Sequence, residues 1–150
     1  MGSLTRLLRS ARGAAAIEFA IIAPVLALLV VATIELGFMM RARIVAQEAA
    51  SAGALYASQH TFDAAGIAAI MAATTNATNE GTITAGTPTL SYGCPTTTGI
   101  TPAAAGDTCA DGVGARRYVT VTASVPRVTI LDSDFGLPAN ATASSTVRLP

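Results

Sequence analysis

The sequence predicts an α+β fold in which one long N-terminal helix packs on a small antiparallel sheet. Residues 14–34 form an almost unbroken apolar run, and a helical pattern continues from it to about residue 58. Further along the chain, apolar and polar residues alternate over 116–125 and 141–149, which is typical of strands with one buried face. A continuous helix followed by short strands is the order of elements that this fold class requires.

The apolar run is long enough to cross a bilayer. At about 1.5 Å per residue, 21 residues span roughly 30 Å, the thickness of the hydrocarbon core. We therefore predict a transmembrane helix over 14–34. The positive-inside rule places the N-terminus in the cytoplasm, because Arg residues without acids precede the run. The leader carries three of them: Arg6, Arg9 and Arg12.

Beyond the span, residues 35–58 predict an amphipathic continuation of the same helix. Apolar residues recur there at steps of three and four, which places them on one stripe that faces the following domain. The predicted stripe consists of Ile34, Phe38, Ala42, Val45, Ala49, Ala52 and Tyr56. The polar residues predicted to point away from it are Arg43, Gln47, Ser51 and Ser58.

Residues 59–150 are expected to form a small α+β domain. A second helix is predicted over 61–78, with Thr61 as its N-cap. The alternation in 116–131 gives the strongest strand signal, and Pro126 is expected to bend or end that strand. The remaining predicted strands cover 82–85, 88–92 and 141–149.

Two cysteines, Cys94 and Cys109, lie in a Thr-, Gly- and Pro-rich stretch on the far side of the predicted span. An even number of cysteines outside the cytoplasm favours a disulfide. Closing a loop of about 15 residues contributes roughly 3 kcal/mol in the chain-entropy description. Two free thiols are the alternative.

Composition argues against several classes of function. Hydrophobic residues make up 51% of the chain and charged residues 12%, with a formal net charge of zero. No basic patch lies outside the N-terminus, so nucleic-acid binding has no electrostatic support. His60 is the single histidine, and Asp107 and Asp111 fit turn chemistry better than calcium binding. We therefore predict no enzyme, no metal and no cofactor.

Glu18 is the unexpected residue, because a carboxylate four residues inside an apolar run is costly. It could reach the headgroups at the cytoplasmic interface without any further role. Alternatively, it meets a charged partner that arrives only on assembly. Cleavage after Gly13 would create such a partner, an α-ammonium at Ala14, on a neighbouring helix.

The N-terminal motif resembles the processing motif of type IV prepilins, and more closely the TadE-like minor pilins (pseudopilins) of the tight-adherence, or Flp, pilus. The resemblance covers residues 6 to about 58. It rests on a basic leader ending in Arg12-Gly13, the stretch Ala14-Ala15-Ala16-Ile17-Glu18-Phe19-Ala20, Pro24, and Glu35-Leu36-Gly37.

The resemblance implies a pilin-like fold, a membrane location and a structural role. A prepilin peptidase would cut between Gly13 and Ala14, Glu18 and Phe19 would belong to the processing and assembly motif, and Pro24 would kink the span. The protein would sit in the bacterial inner membrane, with its C-terminal domain in the periplasm, and would enter the extracellular pilus. Its partners would be the peptidase, other minor pilins, the Flp major pilin and the assembly platform.

These expectations divide the chain into four parts: a leader at 1–13, the span at 14–34, its periplasmic continuation at 35–58, and the domain at 59–150. Two other interpretations stay open at this point. The N-terminus could be an ordinary signal peptide cut near Ala32, which would release a secreted binding domain. The chain could also be a permanently anchored enzyme or accessory subunit.

Overall fold

A computed structural model describes residues 11–78, 83–130 and 136–150; within it, the side chains of residues 11, 12, 14 and 75–78 are left undescribed. These residues divide into two compact units, the first ending at Phe38 and the second comprising Met39–Pro150. The architecture is a long apolar helix packed on a small antiparallel sheet, so the predicted α+β fold is confirmed.

Helix α1, Ala11–Gln59, is 49 residues long and includes Pro24. Its length follows from the sequence, since no second proline interrupts the helical pattern before Pro88. Helix α2, Ala64–Thr78, begins later than predicted. Asp63 caps it, because its Oδ1 accepts a hydrogen bond from the Ala65 N–H at 3.1 Å. The prediction of Thr61 as the cap is therefore wrong; both residues are common N-caps, and sequence pattern alone does not choose between them.

Within the described residues, five strands form one antiparallel sheet. The long strand β4 lies at its centre, with β5 on one side and both β1 and β2 on the other, and β3 extends the sheet beyond β2. The bounds are β1 Thr84–Ala85, β2 Thr89–Thr96, β3 Gly99–Pro102, β4 Arg116–Pro126 and β5 Asn140–Arg148.

The core of the second unit is built mainly from small side chains. Val119, Val121 and Ala123 of β4 are fully buried, as the predicted alternation requires. Ala46 and Ala49 of α1 are also fully buried. Small residues allow a helix to approach a neighbouring element closely.

The stripe that faces the core on α1 agrees with the prediction from Ala42 to Tyr56 and differs at its N-terminal end. Ala42, Val45 and Ala49 are at most 4% exposed, whereas Ile34 is 40% exposed. The polar residues Arg43, Gln47 and Ser51 point outward, as predicted. On β4, the neighbouring residues Tyr118 and Val119 point to opposite faces of the strand and are both buried, so the strand is covered on both faces at this point.

Strand β4 runs antiparallel to the part of α1 that belongs to the second unit. One groove is lined by Arg43 and Ile44 of α1 and by Thr142 of β5, which pairs with Ser124 near the end of β4. At the opposite end, the beginning of β4 lies near the end of α1. A second groove there is lined by His60, Thr61, Phe62, Arg117, Leu149 and Pro150.

Candidate processing and assembly segment

The predicted cleavage junction, Gly13–Ala14, lies within the first residues of α1. Both residues are helical, and the backbone of Gly13 is only partly exposed. Arg12 also belongs to the helix, although its side chain is not described. Arg6 and Arg9 lie outside the described residues, so their predicted role in the leader stays a prediction.

Glu18 lies one helical turn after Ala14, on the same face of α1. Its carboxylate is exposed, and the surrounding surface is apolar: Ile17 is 60% exposed, Phe19 67% and Ile21 70%. Among the residues that the structure describes, no ion pair or hydrogen bond to Glu18 is found. The described part of the helix therefore carries one negative charge on an apolar surface and provides no positive group that pairs with it.

The rest of the span has little polarity left to satisfy. The Thr33 hydroxyl donates a hydrogen bond to the Leu29 carbonyl at 2.8 Å, so its polar group is compensated within the helix. Pro24 removes one backbone donor from the helix interior. In its most apolar 18-residue window none of the residues of α1 is buried, and α1 is long and apolar enough to cross a membrane.

Glu35, near the end of the predicted span, has a side chain that is only 1% exposed. A fully buried carboxylate is rare unless it is compensated by other groups. Arg127, at 8% exposure, is the other buried charged residue of the described chain. Hydropathy along the sequence contains no signal for either burial, because both depend on tertiary packing.

The cysteines form the predicted disulfide, Cys94–Cys109, with their Cα atoms 5.4 Å apart. The loop that it closes contains two ordered turns. Asp107 Oδ2 accepts a hydrogen bond from the Ala104 N–H at 2.7 Å. Asp111 Oδ1 accepts one from the Val113 N–H at 3.1 Å, and its Oδ2 pairs with Arg116 at 2.9 Å. Both carboxylates thus act as turn acceptors.

His60 lies at the end of α1 and stacks on Tyr56, with ring centroids 4.2 Å apart. Its Nδ1 lies 3.0 Å from the Tyr56 carbonyl oxygen. The contacts of His60 are therefore those of a helix-terminal residue. Across the described ranges, no group of three or more His, Cys, Asp or Glu side chains is arranged to hold a metal ion.

The comparisons with known proteins bear on this same helix. A family model described as TadE-like protein matches residues 13–55. The N-terminal helix is TadE-like. The match begins at Gly13 and ends four residues before the end of α1, so the resemblance found in the sequence is confirmed. Neither the comparison with curated proteins nor the one with solved structures found a match.

The match supports a TadE-like protein of the Tad pilus system, and this family is structural rather than enzymatic. A single candidate membrane helix near the N-terminus, among the residues described, is consistent with a membrane-anchored, pilin-like protein. The sheet of the second unit lies outside the matched residues.

Proposed function

We propose that this protein is a minor pilin, or pseudopilin, required for assembly of a tight-adherence pilus. It is inserted in the bacterial inner membrane with its N-terminus in the cytoplasm and its C-terminal domain in the periplasm. Residues 1–13 are its leader, 14–34 its span, 35–58 the periplasmic continuation and 59–150 the α+β domain. Prepilin peptidase, other minor pilins, the Flp major pilin and the assembly platform are its partners.

The TadE-like match over residues 13–55 is the observation that carries this proposal. Two features of the helix support it. Apolar side chains cover the surface of the span, which suits lipid before assembly and other helices after it. The charge at Glu18 stands among them without a partner from the described chain, so a partner from outside the chain would stabilise it.

The position of Glu18 gives the proposed assembly step its geometry. Glu18 follows Ala14 by four residues, which corresponds to about 6 Å along the helix axis. If cleavage frees the Ala14 amine, a neighbouring helix displaced by about this distance places its ammonium beside Glu18. Because an unpaired charge in a low-dielectric bundle costs several kcal/mol, the pair would select one axial displacement over others.

Sequencing the mature N-terminus in a piliated strain tests the processing step. We expect the chain to begin at Ala14. A start at Thr33 would instead indicate a secreted domain with an ordinary signal peptide, and an intact Met1 would indicate a permanent anchor. Either result would contradict the proposal.

Substitution of Gly13 sharpens that test. Gly13→Val should leave the precursor uncut, because a branched side chain crowds a peptidase cleft that accepts glycine. Gly37→Val in the same helix is the matched control, since an added Cβ at Gly37 meets no atom within 4 Å. The control should be cut normally. Equal processing of both variants would place the junction elsewhere.

Glu18→Gln tests the assembly step separately. The substitution keeps the shape of the side chain and removes its charge, so cleavage and membrane insertion should remain while incorporation into pili falls. Glu48→Gln is the matched control, because Glu48 is an exposed glutamate on the second-unit part of α1. The measurement is the amount of pili sheared from cells and the protein found in them. Normal piliation in Glu18→Gln would refute the charge-pair mechanism.

A further inference from the structure

The segment that follows β4 carries two exposed apolar side chains that the proposed function does not use. Val128 and Ile130 are each 56% exposed. They lie two residues apart in an irregular segment just after β4 ends at Pro126. A hydrogen bond of 2.9 Å from the Arg127 N–H to the Ala139 carbonyl holds the start of this segment to the strand pair.

The direction of β4 places this segment at a defined end of the second unit. Within that unit, Gly53 of α1 approaches Val121, while Arg43 and Ile44 approach the level of Ser124 through its pairing partner Thr142. Residues later in β4 therefore lie beside residues earlier in α1. The chain leaves β4 after Pro126 toward the end at which Met39 begins the unit.

That end is the one nearest the membrane by covalent connection. Met39 follows the proposed span, residues 14–34, after only four residues of helix. An exposed apolar side chain at this end would lie close to the lipid headgroup region when α1 is inserted as proposed. Exposed apolar side chains at such a boundary gain free energy by entering the interface.

We infer that Val128 and Ile130 form a second contact with the lipid surface, on the periplasmic side, in addition to the span. The inference rests on the proposed insertion of α1. The contact would hold the sheet of the unassembled subunit near the membrane. Entry into a pilus would require this contact to be released.

The absence of tryptophan from the sequence makes a direct test possible. Full-length protein carrying Val128→Trp or Ile130→Trp is reconstituted in phosphatidylcholine bilayers, and its fluorescence is compared with that in bilayers of the dibrominated lipid. We expect quenching of about twofold, since tryptophan settles at the interface where the bromine atoms can reach it.

Matched controls are available at the far end of the sheet. Ile100→Trp and Val113→Trp replace residues that are 44% and 50% exposed, but β3 and the disulfide loop lie beyond the start of β4. These variants should be quenched little. Equal quenching at all four positions, or none at 128 and 130, would overturn the inference. A blue-shifted emission without quenching at 130 would also overturn it, in favour of contact with a second copy.

Leu28→Trp separates this inference from the proposed function. Leu28 is 58% exposed in the middle of the apolar run. Strong quenching there, with none at 128 and 130, would leave the membrane span standing and remove only the second contact. Lack of quenching at 28 would contradict insertion of α1 itself, and the inference would fail with it.

Discussion

Helix α1 belongs to both units of the chain, and its apolar side chains are exposed in the first unit but form part of a buried core in the second. In the first unit, Val25 is 60% exposed and Leu28 58%, so the apolar surface is left uncovered by the described chain. In the second unit, Ala46 and Ala50 are fully buried. The second unit thus completes its hydrophobic contacts within the chain, whereas the first needs lipid or other subunits to complete them.

The difference also appears in side-chain size. The span exposes large side chains, which gain most when they are covered by lipid or by neighbouring helices. The covered part of α1 uses alanine and glycine, which let the helix lie close to the sheet. The same helix therefore has one part whose large side chains suit lipid or other helices, and another part whose small side chains pack against the sheet of its own chain.

The largest expected effect comes from the core of the second unit. Ile67 of α2 is fully buried. Ile67→Ala should lower the free energy of unfolding by about 4 kcal/mol, because it removes buried methyl groups and leaves a cavity. Chemical denaturation of the full chain in detergent, followed by circular dichroism, measures the change. Ile21→Ala, at a position that is 70% exposed, should leave the unfolding midpoint unchanged. An equal loss of unfolding free energy in both variants would contradict the distinction between a buried core in the second unit and an exposed surface in the first.

The disulfide should contribute the next largest effect. Replacing Cys94 and Cys109 together by serine should lower the free energy of unfolding by about 3 kcal/mol, since the loop between them is no longer closed in the unfolded state. Thermal unfolding with and without reductant provides the measurement. The wild-type chain should approach the double variant when it is reduced. A reduced wild type that keeps its full stability would contradict the assignment.

Much of this division could be predicted from the sequence, because it depends on local patterns. The apolar run and the absence of a second proline before residue 88 predicted α1 closely, and the alternation in 116–125 predicted β4. Strand β3 was missed, since all four of its residues are exposed and no alternation marks it. Its position is set by pairing with β2 and by the disulfide, which are contacts between distant residues.

The candidate site shows the same limit. The proposed junction at Gly13 and the charge at Glu18 both belong to a short motif that is visible in the sequence, and cleavage at that junction stays a prediction. The burial of Glu35 could not be predicted, because neighbouring residues in sequence do not determine what covers a side chain. The partner of Glu18 is beyond reach for a different reason, since the proposal places it on another molecule.

Gly53 allows the comparison to be sharpened at a single position. An added Cβ there would lie 2.8 Å from Met71 Cγ and 3.1 Å from Val121 Cγ1, closer than normal contacts. Gly53→Leu should therefore lower the free energy of unfolding by about 2 kcal/mol through overpacking. Gly37→Leu, in the open part of the same helix, is the control and should cost nothing measurable. Destabilisation by Gly37→Leu to the same extent would show that the helix is tightly packed at Gly37 as well as at Gly53.

The smallest effect concerns two exposed carboxylates, Glu18 and Asp111, of which only Asp111 has partners within the described chain. The Val113 N–H lowers the pKa of Asp111 below its ordinary value, and the nearby Arg116 guanidinium lowers it further. Because the pKa in the folded state is depressed, the resulting stability is present above the unfolded pKa of about 3.9 and is lost as pH falls through the folded-state pKa.

Carboxyl ¹³C titration by NMR measures the effect. Arg116→Gln should raise the pKa of Asp111 only part of the way to its ordinary value, since the backbone hydrogen bond is the larger cause. Arg43→Gln should leave the titration unchanged, and a complete return in Arg116→Gln would assign the whole effect to the ion pair.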